Sequence, residues 1–291
     1  MSNIEGMNEG KLERKNMNKE NSHFIALGSR LQGVPEVLTL GVKPNFFDYT
    51  PHERKLILNS NIILYPTLNY AQLFTTVGKQ IFPSLETYLY ADEKIKQTTL
   101  FYMQCIPHPR TRIYYHLHHK DILKDFSFPF VAKIPRASAR GRGVFMINSV
   151  DELEKYLQIT HVAYIQRYIP HNRDLRVVLI NYQPVLAYWR EPPPGNFRTN
   201  LFQGGFINFK DVPHDVLGLA QKLAKKCKFN DVGLDFIQNK GKWYLIEANM
   251  KYGRKGLKMR GLNLKGIIRK KILSGELTAS KPFSYEENPA K

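Results

Sequence analysis

Cysteine is scarce in the 291-residue chain, and Cys105 and Cys227 lie far apart with no CxxC pair. That excludes a disulfide framework and a cysteine zinc site, and both thiols read as reduced, in a cytoplasmic protein. No apolar run reaches the roughly 18 to 20 residues a membrane-spanning helix needs, so no membrane segment is expected. Residues 1–21 carry four acidic and four basic side chains around no hydrophobic centre, which fits a disordered leader rather than a targeting sequence. GxxxxGK[ST] and GxGxxG are both missing, so P-loop and Rossmann nucleotide sites are not supported, and without GxSxG the serine-hydrolase elbow is missing too. Acidic charge is also in short supply: 25 Asp and Glu against 43 Lys and Arg leave a formal charge of +18.

What is present is a hydrophobic fraction of 43%, enough for one large core or two or three smaller ones. From residue 22 to 92, short apolar runs ("HFIALG", "VLTLGV", "NIILYP") alternate with a helical stretch at Pro51 to Asn59, which reads as a small α/β unit. Helical periodicity then runs without interruption through "SLETYLYADEKIKQTTLFYMQC", followed by strand patterns at "FPFVAKI" and "VFMI". Ser149 with Glu152 three positions on marks a capping box. "AYIQRYI", "DLRVVLIN" and "QPVLAYWR" are further strands, His214 to Cys227 a helix, and "VGLDFIQNKGKWYLIEAN" a hairpin. The second part is therefore α+β with antiparallel character, behind an α/β N-terminal unit.

The hairpin carries the first chemical signal. Side chains two apart on a strand share a face, so Glu247 and Asn249 point the same way. A three-residue loop at Asn239 to Gly241 would set Asp235 opposite Leu245, a diagonal neighbour of Glu247. Two carboxylates and an amide oxygen on one face suit Mg²⁺, which completes its shell with water and phosphate oxygens. Ion pairs between Asp235, Glu247 and nearby Lys or Arg satisfy the same spacing.

A second signal is Lys133, a lysine inside an apolar strand just before the loop from Arg136 through Ser138 and Gly141 to Gly143. Glycines let backbone N–H groups approach an anion, and the loop's arginines add charge. Asp174, Arg176, Arg190 and the triplet Arg198, Thr199, Asn200 follow along consecutive antiparallel segments. The segment Lys251 to Lys271 holds nine Lys or Arg and no acid, a field suited to an acidic partner or to a plain soluble surface. His108, His116, His118 and His119 sit in a Tyr- and Arg-rich segment that reads as a surface or lid rather than a metal site.

In this order, "EKIKQTTLF", Lys133 with its glycine loop, "IQRYI", "DLRVVLI", "FRTNLFQGG", "VGLDFI" and "LIEANMKYG" resemble the ATP-grasp superfamily, and within it the RimK-like carboxylate-amine ligases. The resemblance spans roughly residues 90 to 270. It implies an ATP-grasp fold: a pre-ATP-grasp α/β domain over 22–92, a small lid lobe over 93–165, a large lobe with the metal site over 166–275, and a tail over 276–291. Lys94 and Lys133 then look like the phosphate-binding lysines, with Ser138, Gly141 and Gly143 in the loop that closes over ATP. Gln166, Arg167 and Tyr168 take the hinge beside adenine, Asp174 the place near the ribose, and Arg198, Thr199 and Asn200 the nucleotide-contacting triplet. Asp235, Glu247 and Asn249 match the ligands of Mg²⁺, with Mn²⁺ as an alternative. Arg176 and Arg190 match the cations around the transferred phosphoryl group. The chain departs from the family pattern at Arg167, at Ala137, and after Asn249, where Lys251-Tyr252-Gly253 replaces a Ser-Pro-Gly.

The chemistry so implied is attack of a carboxylate on ATP to give an acyl phosphate, then capture by an amine to give an amide, ADP and phosphate, in a dimer or tetramer. The amine is an amino acid or a peptide or protein acceptor. Two other readings share these residues: a polyanion or nucleic-acid binder on a non-catalytic ATP-grasp fold, and an ATP-grasp kinase acting on a hydroxyl.

Overall fold

The computed structural model describes residues 24–135, 143–193 and 205–277. The expected leader, Ser138, Gly141, Arg198, Thr199, Asn200 and nearly all of the expected tail lie outside the described residues. The chain divides into two compact units, Met1–Leu85 with Leu262–Lys291, and Glu86–Gly261. The second unit takes in both of the expected lobes up to Gly261, while the segment from Leu262 groups with the first.

The first unit is built on a parallel sheet of β1 (Phe24–Ala26), β2 (Val37–Thr39), β3 (Ile62–Leu64) and β4 (Gln80–Phe82), in the order β2-β1-β3-β4. The helix Pro51–Asn59 leads into β3 and the helix Leu68–Thr76 into β4, as parallel connections require. The first of these starts where the sequence signals it. Thr50 accepts the Glu53 N–H at 3.2 Å, Glu53 accepts the Thr50 N–H at 2.8 Å, and Pro51 occupies the first turn. Ile25, Leu27, Ile57, Ile63, Tyr70 and Phe74 form the core.

The second unit contains two antiparallel sheets. The smaller comprises β5 (Thr111–Tyr115), β6 (Phe130–Lys133), β7 (Val144–Ile147) and β8 (Val162–Arg167), ordered β5-β8-β6-β7. The helix Val150–Gln158 buries Leu153 and Tyr156 among Phe130, Ala132, Ile147 and Ile165. Its Ser149 cap forms as expected, but Glu152 returns to the N–H of Asn148 rather than of Ser149.

The larger sheet comprises β9 (Asp174–Ile180), β10 (Gln183–Glu191), β11 (Phe206–Asn208), β12 (Asp231–Asn239) and β13 (Lys242–Asn249), ordered β11-β10-β9-β12-β13. Leu175, Val177, Leu179, Trp189, Leu234, Phe236, Leu245 and Ala248 enter one core with the helix His214–Cys227. By alternation, Asp174, Arg176, Tyr188, Arg190 and Asp235 fall on the opposite face.

Three expectations change. The helical stretch after Ser84 is two helices, Leu85–Tyr90 and Lys94–Met103, because Asp92 takes a left-handed conformation at φ 69° and gives its N–H to the carbonyl of Ala248. The strands β4, β5 and β11 were not anticipated. In the hairpin, Lys240 and Gly241 both have positive φ and form a two-residue turn that pairs Asn239 with Lys242. A bulge past the Phe236–Leu245 pair then sets Asp235 opposite Glu247 instead of Leu245. The extra residue leaves Trp243, Leu245 and Ala248 in the core and keeps Glu247 and Asn249 on the other side.

Candidate active site

A ladder of cross-strand partners organises the face of the large sheet away from its core. Tyr188 on β10 pairs with Arg176 on β9, Arg176 with Asp235 on β12, and Asp235 with Glu247 on β13. Alongside, Arg190 pairs with Asp174. Directly opposed residues have their Cβ atoms about 5 Å apart, so backbone register alone brings four strands' worth of charge together.

The side chains close this grid. Arg176 grips Asp235 through two bonds, Nε to Oδ1 and Nη2 to Oδ2, each 2.6 Å, and donates Nη1 to the Tyr252 carbonyl at 2.7 Å. Arg190 reaches Asp174 through Nε at 2.5 Å and Asp235 Oδ2 through Nη2 at 2.9 Å. Asn249 donates Nδ2 to Asp235 Oδ2 at 3.2 Å. Asp235 is 1% exposed. Burial pushes its carboxyl up, but Arg176 and Arg190 outweigh burial and hold it below the usual carboxylate range.

The two lysines come in from other elements. Lys94, at the start of its helix, lies 3.1 Å from Glu247 Oε1. Lys133, the last residue of β6, is 7% exposed, and its ammonium sits 5.7 Å from the centre of the Tyr164 ring. Among the described residues no carboxylate closes an ion pair with Lys133. Burial lowers its pKa to about 8, against the attraction of Glu247 and with the help of Lys94. Glu247 is raised by burial and lowered further by Lys94 and then Lys133, ending below its ordinary value.

The expected residues are thus gathered with one qualification. Asp235, Glu247, Asn249, Arg176, Arg190, Asp174, Lys94 and Lys133 form one charged cluster, but ion pairs already occupy much of it. Asp174, expected near the ribose, is 2% exposed with its carboxylate on Arg190. Gln166 is buried and donates its amide to Thr111 Oγ1 at 2.9 Å, and the Arg167 N–H is taken by the Arg110 carbonyl at 2.8 Å. Tyr168 follows directly after β8 and lies beside His171. Gly143, at φ 93°, gives its carbonyl to the Ile134 N–H at 2.8 Å and closes the base of the loop that Lys133 leads into.

The donor set still fits a hard divalent cation. Each carboxylate oxygen offers about two acceptor positions; Asp235 Oδ2 is fully engaged by Arg176, Arg190 and Asn249, while among the described residues Oδ1 accepts from Arg176 alone. Glu247 uses Oε1 alone among the described contacts. Asn249 has its amide nitrogen turned to Asp235, leaving its oxygen as a further donor. All of these are oxygen ligands, as Mg²⁺ requires.

Two residues that sequence reasoning passed over belong to this neighbourhood. Asp92 is driven up in pKa by burial and then by the charge of Glu247. Gln97, 2% exposed, hydrogen-bonds both polar groups of the Ala248 peptide. A signal for the second existed: Gln97 stands one helical turn from Lys94 on an otherwise apolar or hydroxylated face.

Several cations of the basic segment, and the histidines, have partners of their own. Of the nine cations, Lys265 donates to the Gln32 carbonyl, Arg269 chelates Glu36, Lys271 pairs with Glu276, and Arg260 lies 4.5 Å from the Phe209 ring centre. His108 contacts the Ile106 carbonyl, and the His116 and His119 rings meet edge-on at 5.6 Å. Among the described residues no three His, Cys, Asp or Glu side chains are grouped to hold a metal, and no helix is long and apolar enough to cross a membrane.

Comparison with known proteins gives the family and the fold. The family model of the RimK-like ATP-grasp domain matches residues 91–272. The coenzyme gamma-F420-2:alpha-L-glutamate ligase of Methanococcus maripaludis is 28% identical over 197 residues, covering 64% of this chain and 68% of that one. Among solved structures, the RimK domain protein ATP-grasp from Sphaerobacter thermophilus superposes with a TM-score of 0.61 at 15% identity, over 85% of this chain and 98% of that one. The ATP-grasp ligase PsnB, solved with a phosphomimetic variant of its minimal precursor, Mg and ADP, gives 0.54 at 16% identity, over 71% and 65%. At such identities the two structures establish the fold.

Proposed function

Because the chain belongs to the RimK-like ATP-grasp family, we propose that it is an ATP- and Mg²⁺-dependent carboxylate-amine ligase that forms an amide bond through an acyl phosphate. The observation that carries this is the Arg176, Asp235, Glu247 ladder flanked by two lysines. A substrate carboxylate oxygen attacks the γ-phosphorus and ADP leaves. The amine nitrogen then attacks the acyl carbon, the bond from that carbon to the bridging oxygen breaks so that phosphate leaves with the oxygen and its electron pair, and the amine gives up a proton. Neither step needs a protein nucleophile, so the protein's part is positioning and charge.

In this reading Lys94 and Lys133 hold phosphate oxygens, and Lys133 gains most because burial has stripped its ammonium of water. Asp235, Glu247 and Asn249 would hold the metal, which when bound would supply positive charge to offset that of the phosphates. Arg176 and Arg190 keep Asp235 ionised and fixed. Ser138, Gly141 and Gly143 close over ATP, Gln166 to Tyr168 border the adenine, and Arg198 to Asn200 complete the nucleotide contacts. The name of the Methanococcus maripaludis relative suggests an α-amino acid such as glutamate as the amine. An acidic acceptor fits those cations of the Lys251 to Lys271 segment that have no carboxylate partner among the described residues. The protein works in the cytoplasm.

The test joins products to a variant. Mass spectrometry of reactions holding ATP, Mg²⁺, a panel of amino acids and candidate acceptors should find an adduct lighter by one water than its parts, with ADP released in step. Glu247→Gln should cut turnover more than tenfold while the protein stays folded. ADP release near the wild-type rate in that variant would sink the metal assignment.

A further inference from the structure

Among the described residues β13 is an edge strand of the large sheet, with β12 on one side only. In an antiparallel pair, a residue's N–H and C=O point together either toward the partner strand or away from it. At Ala248 both are met from outside the sheet by one side chain. The Ala248 N–H donates to Gln97 Oε1 at 2.9 Å, and Gln97 Nε2 donates to the Ala248 carbonyl at 2.7 Å. The primary amide of Gln97 thus stands in for one residue of a missing sixth strand.

The place of this pairing matters. Ala248 lies between Glu247 and Asn249, and its peptide groups set the direction in which both flanking side chains leave the strand. Gln97 stands three residues after Lys94 on the same helix face, and Lys94 is the ion-pair partner of Glu247. The Asp92 N–H adds a third bond at Ala248, donating to the same carbonyl at 2.9 Å. The helix that presents the phosphate-binding lysine and the strand that presents the metal-facing oxygens are therefore stitched at Ala248 by buried hydrogen bonds, next to the Lys94–Glu247 ion pair. Simple packing would not need an amide here: an apolar side chain would fill the space but leave a buried N–H unmet.

We infer that Gln97 is a positioning residue that locks Lys94 to the Glu247–Asn249 edge, so that metal binding and nucleotide binding strengthen each other. This rests on the ligase reading above. A side chain that orients metal ligands without touching the metal costs about 10- to 100-fold in metal affinity or activity when removed. The loss should fall on the metal-dependent part of nucleotide binding, since Lys94 and Lys133 remain to meet phosphate.

The test is calorimetric titration of the full chain with ADP, with and without Mg²⁺, for wild type, Gln97→Met and Gln97→Glu. Met keeps length and apolar bulk but neither hydrogen bond; Glu keeps the acceptor and loses the donor. The expected result is an unchanged metal-free ADP affinity in both variants, with the gain from Mg²⁺ reduced about 10-fold or more. Variants that retain the full Mg²⁺ gain would overturn the inference. So would an equal loss with and without Mg²⁺, or failure of both variants to fold by circular dichroism, since either would assign Gln97 to stability alone. A wild-type protein that binds no ADP under either condition would instead bring down the ligase reading, and this inference with it.

Discussion

Replacing Lys133 with Met should make the ligand-free protein more stable while weakening its binding of the nucleotide. Lys133 is 7% exposed, and burial depresses its pKa from 10.5 to about 8 after the pull of Glu247 is counted. A displacement of that size corresponds to ~3 kcal/mol by which the folded state disfavours the ammonium. Met has nearly the same length, carries no charge to desolvate, and can lie over Tyr164 as the lysine stem does. For a domain of this size ~3 kcal/mol raises Tm by roughly 6–12 °C.

The pH dependence gives a second check with a fixed sign. Between about pH 8 and pH 10.5 the unfolded chain keeps the lysine proton that the folded protein has lost, so wild-type stability rises with pH across that window. Below pH 8 both states hold the proton and the whole penalty is present. The advantage of Lys133→Met should therefore be full at pH 7, shrink above pH 8 and vanish near pH 10.5. Differential scanning calorimetry of both proteins without ligand at pH 7 and pH 9 measures this directly. A Lys133→Met protein that melts at or below the wild-type temperature at pH 7 would refute the reasoning, because it would make the lysine a structural ion-pair partner.

Arg190→Met should destabilise the protein by about 3–5 kcal/mol in urea unfolding, because Asp174 and Asp235, both nearly inaccessible, lose the guanidinium they share; a loss below ~1 kcal/mol would contradict this. Arg190→Lys should recover only part, since one ammonium lacks the fork that spans two carboxylates. Gly233→Ala should cost ~1–3 kcal/mol, because a Cβ there would stand 2.4 Å from the Tyr252 Cβ and push away the carbonyl that Arg176 holds. Stability equal to wild type would mean that Tyr252 has room to yield.

Much of this site was legible because its signals are local. The alternation in "DLRVVLI" divides core from site, and a lysine inside "FVAK" is conspicuous in a buried strand. What was not legible depends on partners distant in sequence. Asp92 adopts a left-handed conformation to give its N–H to Ala248, 156 positions later in the chain, so helical periodicity ran straight through the break. The bulge in β13 is invisible to a period-two pattern, since "WYLIEAN" reads equally well with or without it, and the register of Asp235 turns on that one residue. β5 was hidden because only Tyr114 among its five residues is buried, so the strand shows no apolar stripe.

The same register explains how charge is distributed within the site. Arg176 spends three of its five N–H donors inside the sheet, two on Asp235 and one on Tyr252. Arg190 divides its donors between two buried carboxylates, and Lys94 has Glu247. Lys133 is the member of this group whose charge is buried without a carboxylate at ion-pair distance among the described residues. An incoming phosphate therefore gains least from the arginines, which would have to leave existing partners, and most from Lys133, whose desolvation is already complete in the folded protein. In the proposed ligase, that ordering would make the arginines fixed supports for Asp235 and Lys133 the cation that answers to the nucleotide. It also predicts that Lys133→Met would weaken ADP binding more than Arg176→Lys does, and calorimetric titrations giving the reverse order would show the supports and the anion site exchanged.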